Sequence, residues 1–272
     1  MPPSAPRAVL PAVASIAIVL AGGCAAPGAG TPVAAQPQPR GPAALVRLGD
    51  DTRRAGDTDG ALGFYRSALG QDPRDVEAFE HMGALLNEMH DADRAEQAFR
   101  AALVVEPDSA RARQGLAVAL LSLRRPGEAL PILQLLAEGS RNPQVLRNYG
   151  VALDQTGRPQ QAQAAYRLAL VQSPADPALH GNLALSLAIG GDLDAALSEI
   201  RAAVASPLPD PRQDANAVLV FALAGREAEA RQYGRPLGPR RLNGLLSRAR
   251  TARALEDAGE RAMALGLMSG SP

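Results

Sequence analysis

The sequence predicts an all-α fold, a superhelix of antiparallel helix pairs ended by a C-terminal capping helix, and three observations carry that expectation. The first is composition: 46% of the 272 residues are hydrophobic, yet only 3% are aromatic and Trp is absent. The apolar content is therefore mostly Ala, Leu and Val, which suits helices packed closely on helices better than strands rich in aromatic side chains. The second is punctuation, with 23 Pro and 26 Gly in a chain that carries too much Leu and Val to be wholly disordered. The third is an internal period of 34 residues. Charge and cysteine content narrow the function classes. The 28 basic residues are all Arg and balance 28 acidic ones, which argues against a general nucleic-acid binder, since that needs a basic excess and usually stacking aromatics. A single Cys excludes an internal disulfide and a multi-Cys metal site.

Residues 1–23 hold one charge, Arg7, an apolar run from Ala8 to Leu20, and small residues before Cys24. That order is a secretory signal peptide. Leu20-Ala21-Gly22-Gly23-Cys24 resembles a bacterial lipobox, with Ala21 where Leu is commoner and Pro11 interrupting the apolar run. The resemblance implies a lipid attached at Cys24, and Ala25 in place of Asp implies sorting to the outer membrane. An ordinary signal peptide or an uncleaved anchor with an incidental Cys is the alternative, although the apolar run is shorter than the roughly 20 residues that span a bilayer. Residues 24–41, rich in Pro, Ala, Gly and Gln, read as a tether.

The body, residues 42–236, reads as five repeats plus a degenerate sixth. Within Val76–Ser109, Phe79, Met82, Gly83, Leu86, Ala95, Phe99, Ala102 and Pro107 stand at unit positions 4, 7, 8, 11, 20, 24, 27 and 32. These positions match the tetratricopeptide repeat. Gly83 and Ala95 let two helices approach, and Pro107 ends the second helix. The same frame sets units at Pro42–Asp75, Ala110–Asn142 (weaker), Pro143–Asp176 and Pro177–Asp210. A sixth begins at Pro211, keeps Phe221 and Gly225, and degenerates after Tyr233. Residues 237–272 contain a terminal helix over Arg240–Asp257, which covers the last interface of the array, and a loose tail beyond Met268.

No residue pattern supports catalysis or metal binding, and no cofactor or small-molecule substrate is expected. His81, His90 and His180 have no second His at helical spacing, and Asp91 and Asp93 read as helix caps. A repeat superhelix instead offers a concave face lined by the first helix of each unit. Asn148, Asn182 and Asn216 all fall at position 6, flanked by Arg147, Val118, Leu121, Leu185, Ile189 and Leu219. Amides can pair with a guest backbone while apolar neighbours take its side chains. The other reading makes these Asn part of the repeats' own architecture.

The stretches Tyr149-Gly150-Val151-Ala152-Leu153-Asp154, Asn182-Leu183-Ala184-Leu185-Ser186-Leu187-Ala188 and Phe221-Ala222-Leu223-Ala224-Gly225-Arg226-Glu227 resemble the TadD-type tetratricopeptide lipoproteins of tight-adherence (Flp) pilus assembly. The last unit departs slightly, with Asn216-Ala217-Val218-Leu219 where the family keeps Asn-Leu-Ala-Leu. The resemblance implies a periplasmic factor, lipid-anchored to the outer membrane, that helps the pilus secretin localise or assemble. A tetratricopeptide lipoprotein of another envelope system is the alternative: a type IV pilus pilotin, an outer-membrane assembly partner or a cell-wall enzyme adaptor.

Overall fold

The computed structural model describes residues 41–205 and 211–268. The signal sequence, Cys24, nearly all of the tether and the tail beyond Met268 lie outside the described residues. Among those described, the fold is fourteen α-helices and one 3-10 turn, with no strand. The helices are α1 (Pro42–Arg54), α2 (Thr58–Gln71), α3 (Val76–Glu88), α4 (Ala92–Val105), α5 (Ala110–Ser122), α6 (Pro126–Ala137) and α7 (Pro143–Gln155). They continue with α8 (Pro159–Gln172), α9 (Pro177–Gly190), α10 (Leu193–Val204), α11 (Pro211–Leu223), α12 (Glu227–Tyr233), α13 (Pro239–Arg253) and α14 (Ala258–Ala264). Every unit in the sequence frame opens on the first residue of its first helix. No helix among the described residues is long and apolar enough to cross a membrane.

Local chemistry explains the starts and stops. The side chains of Asp57, Asp75, Asp91, Ser109, Asn142, Asp176 and Asp192 accept hydrogen bonds from first-turn N–H groups. Each such cap contributes about 0.5–2 kcal/mol. Before α6 and α8 that capping bond is missing, and Pro126 and Pro159 open the helix with a preset φ instead. The turn between the two helices of a unit needs a left-handed residue at position 15. Gly56, Gly157, Gly191 and Gly225 adopt it at φ 89°, 75°, 94° and 73°, and His90 and Arg124 hold the same conformation at 60° and 61°. For a residue with a Cβ this costs roughly 1–2 kcal/mol.

The first helices, α1, α3, α5, α7, α9 and α11, pack on one another in succession and form the inner layer; α2, α4, α6, α8 and α10 each pack on their own unit and the next. Within a unit, the aromatic ring at position 24 fills the space that a glycine at position 8 leaves open. A Cβ on Gly49 would stand 2.5 Å from the Tyr65 ring, one on Gly83 2.9 Å from Phe99, and one on Gly150 2.5 Å from Tyr166. All three rings are buried, and truncating such a ring to Ala costs about 3–5 kcal/mol.

The sixth unit is closed differently. Its second helix, α12, is cut to seven residues, and the Phe221 and Tyr233 rings stack at 5.3 Å. After a 3-10 turn over Arg235–Leu237, α13 packs on α11 and buries Leu246, Ala249 and Ala252. This helix occupies the terminal stretch assigned to the cap. The further helix α14, capped by Asp257, has no counterpart in the sequence reading.

Candidate functional site: the concave groove

The inner faces of α7, α9 and α11 bring the position-6 amides together. Asn148, Asn182 and Asn216 line a polar recess of ≈ 260 Å³ with Arg147, Val151, Ala178, Arg212 and Gln213. Asn182 and Asn216 also border a less polar pocket of ≈ 150 Å³ with Val151, Asp154, Gln155, Tyr166, Leu185, Ile189 and Leu267. Gly181 lets α9 approach α11 here, since a Cβ on it would meet Gln213 Oε1 at 2.6 Å. That Gln213 oxygen is buried without a hydrogen-bond partner.

The three amides are only partly buried, and none makes a hydrogen bond to another described residue. Asn87, which lies outside this ladder, instead donates to the Gly115 carbonyl at 3.1 Å and ties α3 to α5. Arg147 stands with the amides in the polar recess. Leu185 and Ile189 line the second pocket beneath Leu267, at 8% and 2% exposure. Leu219 is closed into the core at 4% exposure, in the helix that α13 covers. Val118 and Leu121 are partly buried on α5 and border neither pocket.

Two carboxylate clusters on the inner layer escape sequence reading. Asp50 accepts from the Tyr65 hydroxyl at 2.7 Å and lies 2.6 Å from His81 Nδ1. Burial pushes the Asp50 carboxyl up, but the hydrogen bonds from Tyr65 and His81 and the nearby charges of His81 and Arg53 outweigh it, so it lies below its ordinary value. Asp154 accepts from Tyr166 at 2.9 Å and from Ser186 Oγ at 2.7 Å. Here burial dominates and pushes the carboxyl up to about 7, with the two hydrogen bonds acting against it. The partners are 31 and 32 residues apart in these pairs. Their only sequence signal is that His81 takes the position-6 slot that holds Asn in later units.

The remaining histidines are structural. His180 Nδ1 pairs with Glu199 at 2.6 Å and Nε2 lies 2.9 Å from the Pro174 carbonyl, while His90 supplies a left-handed turn. Asp91 caps α4, and Asp93 lies in its first turn. Among the described residues no three His, Cys, Asp or Glu side chains are grouped to hold a metal ion. Chemically, the arrangement offers amide donors and acceptors beside apolar walls, a surface suited to holding a peptide segment.

A family model described as Tetratricopeptide repeat matches residues 34–170 and, overlapping them, 79–207. The uncharacterised protein y4yS of Sinorhizobium fredii (strain NBRC 101917 / NGR234) is 40% identical over 100 residues, 36% of this chain and 55% of the relative. The chain thus matches about half the length of that curated relative. Among solved structures, PilW, described as a widely conserved type IV pilus biogenesis factor, is 21% identical with a TM-score of 0.64, covering 75% of this chain and 98% of its own. PilF of Pseudomonas aeruginosa is 20% identical with a TM-score of 0.58, over 74% and 95% of the two chains. YrrB, described as a TPR protein with an unusual peptide-binding site, is 21% identical with a TM-score of 0.51, over 60% and 84%. At these identities the structural likeness concerns the fold.

Proposed function

Because the chain belongs to the tetratricopeptide-repeat family, we propose that it is a non-enzymatic scaffold that binds a protein partner in its concave groove. In this proposal Cys24 carries a lipid that holds it in the periplasm at the outer membrane, where it assists assembly or localisation of a tight-adherence (Flp) pilus secretin. The observation that carries the binding role is the row of Asn148, Asn182 and Asn216 beside the apolar walls of Leu185 and Ile189. Amides with no hydrogen-bond partner among the described residues offer hydrogen bonds to any guest backbone, and apolar walls reward side-chain burial. The direction towards pili draws on the TadD-like stretches and lipobox-like sequence, with support from a fold shared with two proteins named for pilus work. PilW and PilF also favour a second reading, a pilotin of a type IV pilus system.

Deleting the gene is expected to reduce secretin multimers in the outer membrane without lowering secretin transcription, and Cys24→Ser is expected to abolish acyl labelling and reproduce the deletion. Normal tight-adherence secretin multimers in the deletion strain would contradict the secretin role. Undiminished labelling of the Cys24→Ser chain would contradict the anchor.

A further inference from the structure

The C-terminal segment doubles back along the array. It meets the left-handed turns of successive units in reverse order: Arg253 packs on Gly225 of unit six, Arg261 on Gly191 of unit five, and Met268 on Gly157 of unit four. At unit three, Arg124 donates to the Gly266 carbonyl at 2.7 Å. Ala262 and Leu265 are buried at 1% and 2% exposure, and Leu267 borders the groove pocket between Asn182 and Asn216. The less polar pocket of the groove is therefore walled on one side by the C-terminal segment of the chain itself.

The hold is of a kind that can be released. Helix α14 has seven residues, too few to be stable in water alone, so its order depends on what it docks against. Leu267 and Met268 are only partly buried and Met263 is 47% exposed; Arg261 donates to the Glu256 carbonyl within its own segment, its Nε is buried without a partner, and no carboxylate among the described residues of the array pairs with it. Leu267, the residue of this segment at the pocket, is apolar, and the pocket wall contains Asp154, which disfavours an acidic guest. We propose that Leu267, carried by residues 258–268, is the resident occupant of the groove pocket, and that the partner segment recognised by units four to six bears an apolar Leu or Met that takes its place. The inference rests on the groove being the partner site.

The test uses the full-length chain in lipid nanodiscs and a fluorescent synthetic peptide of residues 258–272 as the probe. In the full chain carrying Leu267→Asp and Met268→Asp the resident segment is released, and the peptide is expected to bind at least about tenfold more tightly than to the unaltered chain. A segment docked for about 90–99% of the time lowers apparent affinity by roughly 10–100-fold, which sets that scale. Adding Val151→Asp, which alters the pocket wall, is expected to abolish the gain. Equal affinity for both chains, or no binding to either, overturns the proposal and makes the segment a fixed closure.

A second measurement needs no variant. On the unaltered chain, excess unlabelled peptide is expected to speed hydrogen exchange of the resident amides at 262–267 at least about threefold; unchanged exchange counts against displacement. The secretin phenotype is independent of both readouts. Peptide displacement without a secretin defect would leave this inference standing and the pilus reading contradicted, and the reverse combination would do the opposite.

Discussion

The first two units and the fourth and fifth build the same device with opposite electrostatic outcomes. In both, a tyrosine at position 24 lies against a glycine at position 8, Tyr65 on Gly49 and Tyr166 on Gly150, and its hydroxyl donates to an inner-layer aspartate. At Asp50 the neighbouring unit adds His81 and the same helix adds Arg53, so the carboxyl is held below its ordinary value. At Asp154 the neighbouring unit adds the neutral Ser186, Leu267 borders the pocket, and burial lifts the carboxyl to about 7. The aspartate stands at position 9 in one unit and position 12 in the other, so the repeat frame does not set its place, and the neighbours it meets decide which way its carboxyl shifts. The N-terminal cluster pairs its carboxylate with His81 and Arg53, whereas the pocket beside Asp154 holds no basic side chain among the described residues and is bordered by Leu185, Ile189 and Leu267.

The largest expected effect separates the two tyrosines. Tyr166→Ala opens a cavity in the middle of the array and removes a donor from Asp154, so global stability is expected to fall by about 3–5 kcal/mol in denaturant unfolding. Tyr65 lies in the first described unit, which among the described residues has a neighbouring repeat on one side only. Tyr65→Ala is expected to melt that unit in a separate early transition and leave the main transition nearly in place, because repeat arrays lose terminal units independently. A single transition, shifted equally in both variants, would show that the two ends are not energetically distinct.

The pH dependence is expected to be smaller and of opposite sign at the two aspartates. Asp154 keeps its proton in the folded chain up to about pH 7 and loses it near its ordinary value of 3.8 when unfolded. The folded state therefore binds more protons across that window, and stability falls as pH rises through it, by on the order of a few kcal/mol, levelling off above 7. Asp154→Asn is expected to remove this slope and raise the melting temperature at pH 8 while changing it little at pH 4. Asp50, with its value lowered, contributes stability that is present above its unfolded value and lost as pH falls below it. Thermal melts of the unaltered chain and the Asp154→Asn chain from pH 4 to pH 8 check the first sign; an unchanged slope in the variant would refute it.

Most of the fold was legible because each repeat writes its own boundaries. Pro42, Pro143, Pro177 and Pro211 open helices where the frame puts them, and Gly83 and Gly150 sit under the aromatic rings that need the space. The position-6 amides were legible for the same reason, since equal spacing places equal residues on one face. The carboxylate clusters were not, because each depends on residues about one repeat apart meeting across an inner-layer contact, with no spacing rule to flag them. Helix α14 was hidden by its brevity: seven residues in Ala258–Ala264 show no amphipathic period, and their order comes from tertiary docking. The closure of Leu219 is likewise tertiary, following from α13 packing on α11.

In the proposed binding mode the groove amides face a guest rather than hold the repeats together. Asn182 borders both recesses and makes no hydrogen bond to another described residue, so its replacement should be felt in binding alone. The most direct measurement takes the partner that copurifies with the chain from its native membrane and compares affinity and melting temperature for the unaltered and Asn182→Ala proteins. Affinity is expected to weaken by about 0.5–1.5 kcal/mol, little changed by added salt, at an unchanged melting temperature. A lowered melting temperature with full affinity would contradict it and assign Asn182 to the architecture of the repeats.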